Sequence, residues 1–284
     1  MKKLTISLLA VLVLLSLAAC STKKEGDDPV VDAPKNLLEK IQEQGYITLG
    51  TSPDWPPYEF IDASKSGDER YVGADIELAK YIAEQLGVEL RIKPLEFSGI
   101  FASIASKDID MAISGLGYTE ERDEVMDFTI TYNPTEEDSN SYHGLMIRLE
   151  DKDKYEKLED FEGLVIVAQN GSLQQGFVET QMPYATLKLI GSIGDGVMML
   201  QTKAVDAMAI TSETGAQQIQ TNSDLYMTDI KFNVPDMGTL VGVPEGEKEL
   251  LDAINLIIED VLEQGLYQKW LEEALEYSKS IGIE

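Results

Sequence analysis

The sequence has 284 residues, with 51 acidic against 23 basic side chains and a formal net charge of −28. That balance excludes nucleic acid as a partner, because phosphate backbones demand a basic surface, and it reads instead as a solvated, soluble exterior. Hydrophobic residues at 43% supply a large core, but one histidine and one cysteine allow neither an intramolecular disulfide nor a zinc site of the usual kind, and no metal or cofactor is expected.

The chain opens with Lys2 and Lys3 and an apolar run from Leu4 to Ala19. The run is too short for a stable membrane span of about 20 residues, and a charged start, a short apolar core and small residues before a cut site describe an export signal. The cut site Leu17-Ala18-Ala19-Cys20 resembles the lipobox of bacterial lipoproteins, in which the cysteine thiol takes a diacylglyceryl group and becomes the first residue. Residues 1–19 are therefore expected to be removed and Cys20 lipidated. No later apolar stretch could span a bilayer, so lipid would be the only membrane anchor, and two acyl chains hold firmly. Residues 20–36 are polar and aperiodic, as a flexible tether should be.

From residue 37 helical and strand patterns alternate. Leu37–Gln44 reads as an amphipathic helix and Tyr46–Thr51 as a strand. Ile76, Ala79, Ile82, Ala83 and Leu86 recur at helical spacing until Gly87. Strand Val88–Ile92, helix Ile100–Ser106 and strand Met111–Ser114 follow. Beyond the polar, poorly periodic stretch Pro134–Tyr142 come an apolar strand after His143, then strand Leu164–Ala168, helix Leu173–Thr180, strand Thr186–Ile190, helix Gly194–Thr202 and strand Val205–Ile210. Leu250, Leu251, Ile254, Ile257, Ile258, Val261 and Leu262 form one helical face that Gly265 stops, and a last helix starts near Tyr267. Strands separated by helices imply mainly parallel sheets with helices on both faces. The units fall into two groups, which predicts two α/β lobes with a ligand cleft facing the carboxyl ends of their strands.

Three segments carry chemistry suited to a small zwitterion. Ser114-Gly115-Leu116-Gly117-Tyr118-Thr119 leads from a strand into a helix, with Thr119 placed as N-cap and Arg122 in the first turn. Glycines admit close backbone approach, and an arginine fork binds a carboxylate bidentately. Ser172 and Gln175 form an S-x-x-Q capping box at the start of the Leu173 helix, where free N–H donors and the helix dipole favour an anion. Trp55-Pro56-Pro57-Tyr58-Glu59-Phe60 and Phe97 place aromatics on loops at strand ends, where they wall a pocket or plug a core. His143 reads as a hydrogen-bonded structural histidine.

In this order the segments resemble the family 3 extracellular solute-binding proteins of polar amino-acid ABC importers, over essentially the whole mature chain. Gly45–Thr51 followed by Pro57-Tyr58-Glu59-Phe60 resembles the family's opening strand and loop, and Gly73-Ala74-Asp75-Ile76-Glu77-Leu78-Ala79 its first long helix. Asp110 with Thr119-x-x-Arg122 matches its most specific segment, and Gln264-Gly265-Leu266-Tyr267-Gln268-Lys269-Trp270 its closing helices. The resemblance implies a type II periplasmic-binding-protein-like fold, with lobe 1 from residues 37–138 and 240–284 and lobe 2 from 139–239. It also implies a ligand, an amino acid or analogue, held by hinge closure, an ABC permease as partner, an extracytoplasmic location and a monomer. Arg122 would take the ligand carboxylate, helped by backbone at Gly115, Gly117 and Ser172, with Trp55 and Phe97 flanking the side chain. Ser114, Thr119, Leu173, Thr211 and Glu213 complete the candidate ligand-binding set.

The sequence also departs from that family. Thr211 stands where members usually carry an acid for the α-amino group, with Glu213 two residues on. Gly117 replaces a common hydroxyl residue, and Ser52 replaces an acid found in some binders of basic amino acids. Ser52, with Trp55 and Phe97, predicts preference for a neutral or partly apolar side chain over arginine or lysine. The alternatives from other classes are a prephenate- or arogenate-type dehydratase on the same fold and an extracellular ligand-sensing module; the chain is read as a binding protein and not as an enzyme.

Overall fold

The structure is a computed structural model, and it describes residues 36–133, 141–234 and 238–283. The expected export signal, Cys20 and the expected tether as far as residue 35 lie outside the described residues, as does most of the stretch Pro134–Tyr142.

The first lobe opens with α1 (Leu37–Gln44), capped by Asn36, whose side chain accepts from Glu39 N at 2.9 Å. Strand β1 (Tyr46–Thr51), the hairpin of β2 (Phe60–Ile61) and β3 (Tyr71–Val72), and helix α2 (Ala74–Leu86) follow. Next come β4 (Glu89–Pro94), α3 (Phe97–Ala105), β5 (Met111–Leu116), the single turn α4 (Glu120–Asp123) and β6 (Met126–Phe128). The second lobe runs through β7 (His143–Arg148), β8 (Val165–Gln169), α5 (Leu173–Gln181), β9 (Thr186–Ile190) and α6 (Ile193–Gln201) to β10 (Ala207–Thr211), α7 (Ser212–Thr221) and β11 (Leu225–Lys231). The chain then returns through β12 (Leu240–Pro244) to the first lobe and ends in α8 (Lys248–Glu263) and α9 (Leu266–Ser280).

Each lobe holds one five-stranded sheet, ordered β4-β1-β5-β12-β6 in the first and β11-β7-β10-β8-β9 in the second. β1 pairs in parallel with β4 and β5, and β8 in parallel with β9 and β10. One strand in each sheet is reversed: β12 runs antiparallel to β5 and β6, and β7 antiparallel to β10 and β11. This is the two-lobed, mainly parallel α/β architecture expected from the alternating pattern.

The apolar periodicity finds its core. Ile76, Ala79, Ile82 and Ala83 of α2 are buried against Ile47 and Leu49 of β1, and α8 adds Leu250, Ile254, Ile258 and Val261. Each of the isoleucine, leucine and valine side chains contributes roughly 1.5–3 kcal/mol. Leu262, expected on the same face, is instead 40% exposed. In the second sheet successive residues serve opposite faces: Leu145 and Ile147 pack into one cluster and Met146 into the other, with the same alternation along β8 and β10. Both faces are covered, as a sheet flanked by helices on both sides requires. Gly87, at φ 74°, ends α2 where expected, a left-handed stop that glycine adopts without a Cβ penalty.

Candidate functional site

The first lobe's wall begins where β1 ends. Trp55 and Glu59 close a tight turn, Trp55 N donating to Glu59 O at 2.9 Å and Glu59 N to Trp55 O at 3.0 Å. The indole stacks on Tyr58 at a centroid distance of 4.2 Å and turns its edge on Gly115, where a Cβ would overlap ring carbon Cζ3. Gly115 also has φ 55°, so both space and conformation demand glycine there. Ser114 Oγ donates to Glu59 Oε1 at 2.7 Å and accepts from Ser52 N at 3.1 Å. Beneath them Asp75, fully buried, accepts from Gly115 N at 3.0 Å and from the hydroxyls of Tyr132 and Tyr267 at 3.0 and 2.7 Å. Asp110 locks β5 to β1, its carboxylate accepting from Thr48 N at 2.8 Å.

Arg122 sits where its motif places it. Thr119 caps α4, its hydroxyl accepting from Arg122 N at 3.1 Å. The guanidinium donates to Gly117 O at 2.6 Å and, across the cleft, to Gly171 O at 2.8 Å. It lies over the rings of Phe101 at 4.9 Å and Phe97 at 5.6 Å. Burial lowers its pKa to about 10, so it stays cationic at neutral pH, and among the described residues three of its five N–H donors carry no bond.

The second lobe meets this wall with the starts of three helices. Ser172 caps α5, accepting from Gln175 N at 3.2 Å. The expected capping box is altered: the Gln175 side chain accepts from Gly171 N at 2.8 Å, one residue before the cap. Ile193 opens α6, and its N–H donates across the cleft to Asp54 Oδ2 at 2.9 Å. Thr211 caps α7. Further bridges join Gln169 Nε2 to Asp54 at 3.1 Å, Tyr58 OH to Glu213 at 2.7 Å, and Trp55 Nε1 to Thr214 Oγ1. The lobes are thus closed on a cavity.

Of the residues expected at the site, Trp55, Phe97, Ser114, Gly115, Arg122, Ser172, Leu173 and Thr211 all line that cavity. Phe97 does so as the first residue of α3 rather than from a loop. Gly117 and Thr119 act through Arg122, and Gly117 leaves the room that Leu173 fills, since a Cβ there would press on Leu173 Cδ1 at 2.9 Å. Glu213 is turned to Tyr58, outside the lining.

His143 belongs to the wall as well as to the structure. It pairs with Thr211 at the end of β10 because β7 is reversed, which brings its first residue to the carboxyl edge of the parallel strands. Gln174 Nε2 is 3.0 Å from Nδ1. Burial lowers the imidazole pKa to about 4, so the ring is neutral at pH 7.

Two α/β lobes closed on a cavity that holds a buried cationic fork define a solute-binding protein. The chain belongs to the bacterial extracellular solute-binding proteins, family 3, whose model matches residues 47–276. It is 27% identical to the arginine-binding extracellular protein ArtP of Bacillus subtilis (strain 168), over 95% of this chain and 98% of that one. It is 23% identical to the L-cystine-binding protein TcyJ of Escherichia coli (strain K12), over 93% and 94%. Among solved structures, the L-arginine-bound amino acid ABC transporter substrate-binding protein AbpA of Streptococcus pneumoniae Canada MDR_19A superposes with a TM-score of 0.77 at 30% identity, covering 87% of this chain and 99% of that one. The fold is of the type II periplasmic-binding-protein kind.

Proposed function

We propose that the protein is the solute-capturing subunit of an ABC importer. It closes two lobes over a small carboxylate, an amino acid or amino-acid-like compound, and delivers it to a permease. A diacylglyceryl anchor on Cys20 holds it at the outer face of the cell membrane. The observation that carries this reading is Arg122: a buried guanidinium at the junction of both lobes, with unspent donors in a cavity whose opposite wall is made of helix starts. Such a site suits a carboxylate, which accepts two parallel N–H bonds from the fork. Membership of a solute-binding family and relatives named for amino-acid binding support the same reading.

A thermal-shift screen of amino acids and their analogues finds the ligand, since a solute at 100 times its Kd adds about 2.7 kcal/mol of stability. Calorimetric titration of each binder beside its carboxamide then tests the reading. Loss of affinity in the amide is expected; a binder whose amide does as well as its acid overturns it.

A further inference from the structure

The second lobe's wall concentrates positive potential. Leu173 opens α5, Ile193 opens α6 and Thr211 caps α7, and all three residues line the cavity. Each helix start carries roughly half a positive charge. Asp54 answers the one at α6: Oδ2 accepts from Ile193 N and Gln169 Nε2, and Oδ1 from Ser52 Oγ at 3.1 Å. Glu59, the other acid of the lining, is 1% exposed and sits behind Ser114. Burial first, and then the charge of Asp75, push its carboxyl well above the usual range.

The start of α7 is finished with hydroxyls. Trp55 Nε1, a donor only, bonds Thr214 Oγ1. Thr214 Oγ1 and Thr211 Oγ1 are 2.8 Å apart and share one hydrogen, while Thr211 Oγ1 also accepts from Thr214 N at 3.3 Å. Whichever hydroxyl donates within the pair, one O–H and one lone pair are left for a ligand, and the pair carries no charge. Glu213, the nearest acid in sequence, is exposed and spent on Tyr58.

From this arrangement we infer that the ligand group meeting Thr211 and Thr214 is uncharged, so that the solute is a carboxylate bearing a hydroxyl or carbonyl beside it in place of an ammonium. This rests on the carboxylate reading of Arg122 given above. An ammonium at that point meets a positive helix end and the guanidinium field, and among the described residues the hydroxyl pair offers its three hydrogens a single uncharged lone pair, while Asp54 is already bonded at both oxygens and Glu59 lies behind Ser114. A 2-hydroxy or 2-oxo acid presents an oxygen that accepts the free O–H.

Calorimetric titration with matched trios tests this: lactate, pyruvate and alanine; 2-hydroxyisocaproate, 2-oxoisocaproate and leucine; 2-hydroxyglutarate, 2-oxoglutarate and glutamate; 2-hydroxy-5-guanidinovalerate, its 2-oxo acid and arginine. Within a trio that binds, the hydroxy or oxo acid is expected to bind at least about tenfold tighter than the amino acid, because the site leaves the ammonium short of acceptors and without a charged partner. Thr211→Asp keeps a good N-cap side chain and is expected to invert that order. An amino acid that binds the wild type as tightly as its hydroxy and oxo partners overturns the inference and leaves the carboxylate reading standing. Binding solely by compounds without a carboxylate overturns both.

Discussion

The Arg122 guanidinium of the first lobe donates to the Gly171 carbonyl of the second across 2.8 Å. One side chain is therefore both the proposed anchor for the ligand and a tie between the lobes. Its second bond, to Gly117 O at 2.6 Å, fixes the fork from behind, so the remaining donors are aimed before any ligand arrives.

Arg122→Ala removes both roles. Truncating one partner of a buried charged pair costs about 2–5 kcal/mol, so affinity for the solute is expected to fall roughly 30-fold to several thousand-fold. Arg122→Lys recovers part of this, because an ammonium cannot reproduce the planar fork. Titration of both variants with the solute found by screening checks it; wild-type affinity in Arg122→Ala would discard the site.

Gly115→Ala is expected to act through Trp55. A methyl group at φ 55° costs on the order of 1–3 kcal/mol in backbone strain alone, and here it also overlaps the indole. The melting temperature should drop and binding weaken by at least about tenfold, the equivalent of 1.4 kcal/mol. Combining it with Trp55→Ala relieves the overlap and restores part of the stability but none of the affinity. A single variant that melts and binds like wild type contradicts this packing.

His143 gives a pH signature. Its pKa is about 4 in the folded protein against about 6.5 unfolded. Between these values the unfolded chain takes up a proton that the folded one refuses. The histidine therefore costs nothing above pH 6.5, and stability falls as pH falls towards 4, by at most about 3 kcal/mol. His143→Gln lacks this loss. Urea unfolding of both proteins at pH 7 and pH 4.5 isolates it from the many carboxylates, which titrate in both; parallel behaviour means the ring is not held neutral in the wall.

Cys20→Ser removes the proposed acylation point and leaves the folded lobes untouched. The variant is expected in the soluble fraction after membrane sedimentation, with an unchanged melting temperature. Equal membrane retention of wild type and variant rules out a lipid anchor at Cys20.

Much of the fold was legible because its signals are local. The stripe from Ile76 to Ala83 and the one from Leu250 to Val261 are set by helical periodicity, and Gly87 and Gly265 mark their ends. Helix α7 escaped because it buries Thr214, Gly215 and Gln217, which make no apolar stripe. The β2–β3 hairpin and β6 are two or three residues per strand, too short for a period to register. Strand β11 was missed for another reason: its register against β7 shifts between Met227 and Lys231, which spoils the alternation. At the site, the environments of Arg122 and Ser172 follow from strand-to-helix junctions that a sequence displays, and that of Trp55 from the loop after β1. The cavity position of His143 depends on the reversal of β7, and the diversion of Glu213 depends on Tyr58, 155 residues away. No window of sequence contains both partners.

The carboxylate of Asp75 has an implication for how the molecule is made. Its two oxygens gather the main chain of Gly115, the hydroxyl of Tyr132 and that of Tyr267, the last 192 residues downstream. A chain leaving the ribosome amino end first will have synthesised every residue of the cavity wall while this carboxylate still lacks its final donor. Until α9 docks, a buried acid stands short of one hydrogen bond directly beneath the glycine on which Trp55 rests. A nascent or carboxyl-terminally shortened chain thus carries every residue of the cavity wall while Asp75 beneath it lacks the Tyr267 hydroxyl.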